Sequence, residues 1–334
     1  MEPRVSVLLP VFDAAPTLPA CLASIARQRE PRFECLVVDD GSRDDGLAIA
    51  RKLASRDTRF RVLPGAHRGL VPALTRGLAA CRAPLVARMD ADDWMHRDRL
   101  ALQCDALDAD PCLDAVGSHV RSFPRRALGE GLVAYEDWLA SIDSPRRVRE
   151  EAFVECPVAH PSLVLRRETL VRLGYRDAGW AEDYDLLLRL LAEGGRIGVV
   201  ARRLVGWRHA PDRLSRRSPV YDPERFLACK AHFLARGFLA RHTRYALWGY
   251  GGTGRGLARA LREHGRTPAR IVELHPGRLG QTIQGAPVVS RHALGPPGRL
   301  PLLVSVAGVT ARTRIRRELA RLGYRECVDY VCAA

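Results

Sequence analysis

Lysine is almost missing from this chain: Lys52 and Lys230 are the only two among 53 basic residues. Arginine therefore carries nearly all of a net charge of +15. A surface that basic attracts a nucleotide diphosphate, an anionic leaflet or nucleic acid. No nucleic-acid-binding module accompanies it, so nucleic acid is not an expected partner. The nine cysteines include no Cys-x-x-Cys pair, which argues against a disulfide framework and a zinc site and leaves buried free thiols as the expectation. No run approaches the roughly 18 to 20 apolar residues that a membrane span needs; the longest, Pro301 to Val309, is a strand in length. A strand pattern starts at once, over Arg4 to Leu9, where a secretory leader would need a basic segment, an apolar stretch and a cleavage site. The expectation is a cytoplasmic protein with peripheral association at the inner face of the membrane within reach. There is no internal repeat and no low-complexity tract.

What is present is 334 residues, 47% of them apolar, more than one domain usually holds, so two packed units are expected. The first 110 residues alternate short apolar runs (Val5 to Pro10, Phe33 to Val38, Phe60 to Leu63, Pro84 to Met89) with helical segments from Thr17, Asp44 and Gly69. That alternation predicts an α/β fold with a mostly parallel central sheet covered on both faces. Ligands of such sheets sit beyond the carboxyl ends of the strands. Polar residues collect there: Phe12 and Asp13 after the first strand, Asp39 and Asp40 after the second, Asp90 to Asp93 after the fourth. Residues 111 to 215 are less regular, with a helix predicted from Ala181 to Glu193, and Tyr221 to Arg236 reads as a connecting helix. Strand and helix then alternate again from Tyr245. The predicted organisation is a first domain over 1–215, a linker over 216–243 and a small α/β domain over 244–334.

Asp90-Ala91-Asp92-Asp93 is the most informative segment. Three carboxylates within four residues repel one another unless a cation or solvent neutralises them. A spacing of two puts Asp90 and Asp92 on one side of an extended chain, where both reach one ion. Hard divalent cations such as Mg²⁺ and Mn²⁺ favour such oxygens and share coordination with phosphates.

Around it, Val5 to Phe12, Val37 to Ser42, Arg68-Gly69-Leu70, Arg76-Gly77-Leu78, Arg88 to Asp93 with Arg99, Leu100 and Gln103, His160-Pro161-Ser162 and Ala181 to Leu186 fall in an order and spacing that resembles a family 2 glycosyltransferase of the GT-A fold. The resemblance covers about two thirds of the chain, over residues 4 to 215. It implies that Pro10, Val11, Phe12, Asp39 and Asp40 cradle the donor's base and ribose, that Arg68 and Arg88 meet its diphosphate, and that Asp90 and Asp92 form the DxD element, with Asp92 the direct ligand of Mn²⁺ or Mg²⁺. It implies Asp183 as the base that takes the acceptor's proton, with Glu182 and Asp185 as weaker candidates, and His209 as a further metal ligand. Two departures stand out: His67 occupies a position where the family often has Asn, and the histidine of Trp207-Arg208-His209 is displaced by one.

In the last 90 residues Gly249, Gly251 and Gly254 fit G-x-G-x-x-G between a predicted strand and helix, and Glu273 ends the next strand, where an acid binds a ribose hydroxyl. A Rossmann-like domain holding a nucleotide or dinucleotide is the expectation. No Tyr-x-x-x-Lys pair accompanies it. The leading reading is an inverting transferase that moves a sugar from a nucleotide-sugar donor to a glycan, lipid-linked or protein acceptor, in surface-polysaccharide synthesis. The alternatives are a sugar-nucleotide-modifying NAD(P)-dependent oxidoreductase and a nucleotide-sugar-binding protein without transferase activity.

Overall fold

The computed structural model describes residues 2–210, 213 and 217–334, and these gather into two compact units. The first takes the described residues up to Val148, with Val158–Ala178 and Arg189–Arg213; the second takes Arg149–Pro157, Gly179–Leu188 and the described residues beyond 216. Residues 179–188, expected in the first domain, and the expected linker helix thus belong to the second unit.

The first unit runs β1 (Val5–Val11), α1 (Leu18–Ala26), β2 (Phe33–Asp39), α2 (Gly46–Ala54), β3 (Phe60–Leu63), α3 (Leu70–Ala80), β4 (Leu85–Arg88), β5 (Trp94–Met95), α4 (Arg99–Ala109), β6 (Ala115–Phe123), α5 (Glu130–Ala140), α6 (Pro145–Glu151), β7 (Val164–Arg166), α7 (Arg167–Leu173), α8 (Glu182–Ala192) and β8 (Ile197–Arg208). Helices α6 and α8 each give residues to both units. The sheet order is β3-β2-β1-β4-β7-β6-β8-β5, parallel except where β7 and β5 pair. Every residue of β1 and β2 is buried, as strands covered on both faces must be. Helix α3 reaches the sheet through Gly77, where a Cβ would lie 2.3 Å from Leu8 and 2.6 Å from Val38. Next to it Arg76 donates to the carbonyl oxygens of Asp39 and Leu63. Register then places the chemistry: Val11 pairs with Asp39 and Leu8 with Arg88, so three strands release their polar residues at one carboxyl edge. Strands β6 and β8 lie where the sequence looks irregular. β8 hides its strand character behind Arg202 and Arg203, exposed in its middle, and β6 interrupts its apolar run with Gly117, Ser118 and His119.

The second unit continues with α9 (Pro223–Arg236), β9 (Arg244–Trp248), α10 (Gly252–Glu263), β10 (Thr267–Val272), β11 (Thr282–Ile283), β12 (Ala286–Val289), β13 (Leu302–Val304), α11 (Val309–Arg321) and β14 (Tyr330–Cys332). Its sheet order is β11-β12-β10-β9-β13-β14, parallel throughout apart from the edge strand β11. The chain's first strand here sits at the centre and later strands add on either side, which creates a switch point beyond β9 and β13. Helix α10 starts at Gly252, inside the glycine-rich segment, whose first turn has no apolar period to read. Among the described residues most of the cysteines are buried and none forms a disulfide; Cys112 is exposed. Among the described residues no helix is long and apolar enough to cross a membrane.

Candidate active site

The carboxyl edge of the first sheet gathers six acids and several arginines, and their partners separate those that build the site from those with capacity left. Asp39, nearly buried, accepts from the backbone N–H groups of Gly41 and Ser42 at 3.2 and 3.3 Å. Asp40 accepts from the N–H groups of Arg68 and Gly69 at 3.0 and 2.8 Å and lies 2.7 Å from Nδ1 of His67. Both expected base-and-ribose carboxylates therefore brace the loops that follow β2 and precede α3. Pro10 and Val11 are buried in β1, while Phe12 emerges half exposed and stacks on His67 with ring centroids 4.0 Å apart and planes 20° apart. The departure at His67 thus supplies an aromatic face. Arg68 is exposed, and its guanidinium makes no ion pair among the described residues.

Asp90, Asp92 and Asp93 bring one oxygen each within 4.8 Å of one another. Arg88, buried in β4, lies 2.7 Å from Asp90 Oδ1. Burial would raise the pKa of Asp90, but Arg88, Arg213 and His160 outweigh it and hold the carboxyl below its ordinary range. Asp92 moves the other way: burial first, then the charge of Asp90, push it up to about 6. Its carboxylate accepts no hydrogen bond from another residue among the described residues. Asp93 is almost wholly buried and well raised, by burial and by both neighbouring acids; its Oδ1 accepts from the Arg208 N–H at 2.6 Å. The Arg208 side chain donates to the Asp92 carbonyl at 2.8 Å and covers the Phe123 ring at 4.6 Å. An all-oxygen cluster under mutual repulsion fits a hard divalent cation. The described cluster consists of those three acids; His209 places Nε2 3.2 Å from Ser122 Oγ.

The turn that holds these acids is fixed from beneath by two residues to which the sequence alone assigns no task. Arg99, fully buried, donates to Gln103 Oε1 and to the Arg88 carbonyl, each at 2.9 Å. Gln103 passes the bracing on to the carbonyls of Val116 and Ser162. Burial lowers the pKa of Arg99 to about 9. The available signal was their spacing of four on α4, which puts them on one face.

In the second unit, α8 opens with Glu182, Asp183 and Asp185 in its first turn. Glu182 is buried and accepts from the Tyr221 hydroxyl at 2.7 Å. Asp185 is fully buried and accepts from the Trp180 indole N–H at 3.0 Å. Asp183 is partly exposed, its Oδ1 on the Tyr184 N–H at 2.7 Å. At the glycine loop, a Cβ on Gly249 would lie 2.8 Å from the Ser305 carbonyl and one on Gly254 2.3 Å from the Gly249 carbonyl, whereas Gly251 faces open space. Glu273 accepts from the Tyr250 N–H at 2.8 Å, which spends one of its oxygens on the loop.

Comparison with known proteins places this architecture. The model of the family described as "Glycosyl transferase family 2" matches residues 6–173. The O-antigen biosynthesis protein RfbC of Myxococcus xanthus is 33% identical over 208 residues, which are 61% of this chain and 16% of that protein. The uncharacterized glycosyltransferase EpsJ of Bacillus subtilis is 35% identical over 224 residues, 64% of each chain. This chain therefore spans less than two thirds of the length of these curated relatives. Among solved structures, residues 1–349 of Staphylococcus aureus TarS in complex with UDP-GlcNAc align with a TM-score of 0.55 at 16% identity, over 79% of this chain and 72% of that one. The mannosyltransferase PcManGT of Pyrobaculum calidifontis, in complex with GDP-Man and Mn²⁺, aligns with a TM-score of 0.50 at 22% identity, over 72% and 64%. These likenesses establish the GT-A fold.

Proposed function

This chain belongs to glycosyl transferase family 2, and from that premise we propose that it is an inverting glycosyltransferase moving a sugar from a nucleotide-diphosphate sugar to a hydroxyl acceptor in surface-polysaccharide synthesis. The observation that carries the proposal is the cluster of Asp90, Asp92 and Asp93 at the carboxyl edge, the edge at which β1 also releases the half-exposed Phe12. Phe12 and His67 offer the donor base a stacking surface, and the loops braced by Asp39 and Asp40 shape the pocket around it. Arg68 would meet the diphosphate. Asp90 and Asp92, with Asp93 behind them, would hold Mn²⁺ or Mg²⁺, which when bound neutralises charge on the departing diphosphate.

Asp183 is the proposed base, taking the proton of the acceptor hydroxyl as its oxygen attacks the anomeric carbon. What supports it over its neighbours is exposure: Glu182 and Asp185 are buried, whereas Asp183 is partly exposed. The transferase residues are assigned to residues 1–215, with acceptor on a glycan, lipid-linked carrier or protein at the inner membrane face. A nucleotide or dinucleotide in the 244–334 domain is supported by the switch point and by Ser305, whose buried Oγ has no hydrogen-bond partner among the described residues.

The experiment is transfer and donor hydrolysis with a panel of UDP-, GDP- and dTDP-sugars, with Mn²⁺ or with chelator. Metal-dependent turnover that falls by about 10² or more in Asp183→Asn with donor affinity kept is the expected result. Turnover unchanged by chelator or by Asp183→Asn removes the respective role.

A further inference from the structure

The second unit carries a cleft of about 840 Å³, built by α11 and the segment around Arg291, that nothing in the transferase reading uses. Its size lies within the range of small-molecule sites, about 300 to 1,000 Å³. Arg291, Arg314, Arg317 and Arg321 line it against a single acid, Glu318. That acid is already spoken for, lying 3.2 Å from Arg291. Arg314, Arg317 and Arg321 follow a spacing of three and four, so they stand on one face of α11. They are exposed, and among the described residues none of them has an acid within ion-pair distance.

The other arginines of the same helix show that this is a segregated arrangement. Arg316 lies 2.7 Å from Glu151 and 2.8 Å from Glu326, and Arg312, nearly buried, lies 3.8 Å from Glu151 and donates to the Ala334 carbonyl. The inner face of α11 is neutralised by acids; the outer face holds three like charges that repel one another. Thr310 and Thr313 add hydroxyl donors to the same cleft. At its amino-terminal end Gly308 caps the helix without a side-chain bond, leaving first-turn N–H groups beside Val309 and Thr310.

We propose that this cleft binds a phosphate or diphosphate ester. Planar guanidinium forks match phosphate oxygens two at a time, hydroxyls complete the shell, and an anion relieves the repulsion along the stripe. The phosphate belongs either to a soluble nucleotide-sized ligand or to a lipid headgroup.

The test uses the full chain in chelator, which leaves the acidic cluster of the first unit without a cation, and inorganic pyrophosphate as probe in calorimetry. Wild type binds. The triple variant Arg314→Gln, Arg317→Gln, Arg321→Gln binds at least tenfold more weakly, about the effect of losing one charge-assisted contact. A control triple, Arg236→Gln, Arg241→Gln, Arg244→Gln, removes the same charge from exposed positions elsewhere in the unit and keeps wild-type affinity. Circular dichroism and a cooperative melt establish that both triples fold. A second arm measures sedimentation with phosphatidylglycerol vesicles against phosphatidylcholine vesicles. If the site triple also releases the protein from the anionic vesicles, the phosphate is a lipid's; if partition is unchanged, it is soluble. No pyrophosphate binding by wild type, or equal loss in the control triple, overturns the proposal.

Discussion

Replacing Asp92 by asparagine should make the metal-free protein more stable at neutral pH while abolishing its response to cation. Asp92 sits largely out of water beside Asp90, and burial first and that charge second raise its pKa from 3.8 to about 6. Between those values the folded state holds a proton that the unfolded chain has released. Stability contributed by this group is therefore lost as pH rises from about 4 to about 6, and above that range the full cost remains, on the order of 3 kcal/mol. Asparagine has nothing to ionise. The variant and wild type should be equally sensitive to urea below about pH 4, and their difference should grow to roughly 3 kcal/mol in the variant's favour by about pH 7. Adding Mn²⁺ shifts the comparison back, because the ion offsets the repulsion only where the carboxylate is present. Urea unfolding across that pH range, in chelator and in Mn²⁺, reads both effects. A variant less stable than wild type at neutral pH in chelator, or a difference that does not change with pH, would refute the reasoning.

Glu182→Gln should keep turnover within a few-fold of wild type, since the amide oxygen still accepts from the Tyr221 hydroxyl; a loss matching that of Asp183→Asn, measured in the same transfer assay, would move the base role to Glu182. Lys230, buried and lowered to about 8 chiefly by its burial, bears an unwelcome charge below that pH, so wild type should gain roughly 3 kcal/mol relative to Lys230→Met as pH climbs from about 8 towards 10.5. Chemical denaturation at pH values across that window checks it, and a flat difference sinks it. Ending the chain at residue 243 should preserve Mn²⁺-dependent UDP binding in calorimetry but cost most of the turnover. Residues 149–157, 179–188 and α9 would lose the strands and helices they cluster with, and Lys230 would lose its bond to the Ala333 carbonyl. Full turnover by the truncated chain would show that the Asp183 segment folds without residues 244–334.

The gathering of polar residues at the carboxyl edge of the first sheet was legible because its information is local. Three apolar runs of ordinary strand length end in polar residues, and parallel pairing in register brings those ends level without any further signal. Arg76-Gly77 was legible as a motif; its cause, close approach of α3 to Leu8 and Val38, was not. The residues at the end of β8 were harder to read. A 12-residue strand with arginines at its middle has neither the alternation nor the continuous apolar run by which strands are recognised, and beyond it the resemblance implies His209 as the residue that joins the acids. In the structure Arg208 meets Asp92 and Asp93 and His209 meets Ser122. The long-range partners of Asp40, at residues 68 and 69, equally lie beyond any local pattern.

A carboxylate's residual bonding capacity sorts these acids better than their motif does. Asp39, Asp40, Glu182, Asp185 and Glu273 all sit where a family pattern or a helix start makes them candidates, and each is bonded to a backbone N–H, a hydroxyl or an indole of its own chain. Such acids hold loops in place; converting one into a ligand for substrate would first break those bonds at about 1 to 3 kcal/mol for each buried donor left unpaired. Asp92 is the opposite case. Partly buried beside two other acids, and accepting no hydrogen bond from another residue among the described residues, it costs stability when ionised unless a cation offsets the repulsion. The proposed cation would relieve that cost, and its charge would in turn attract the diphosphate of a donor.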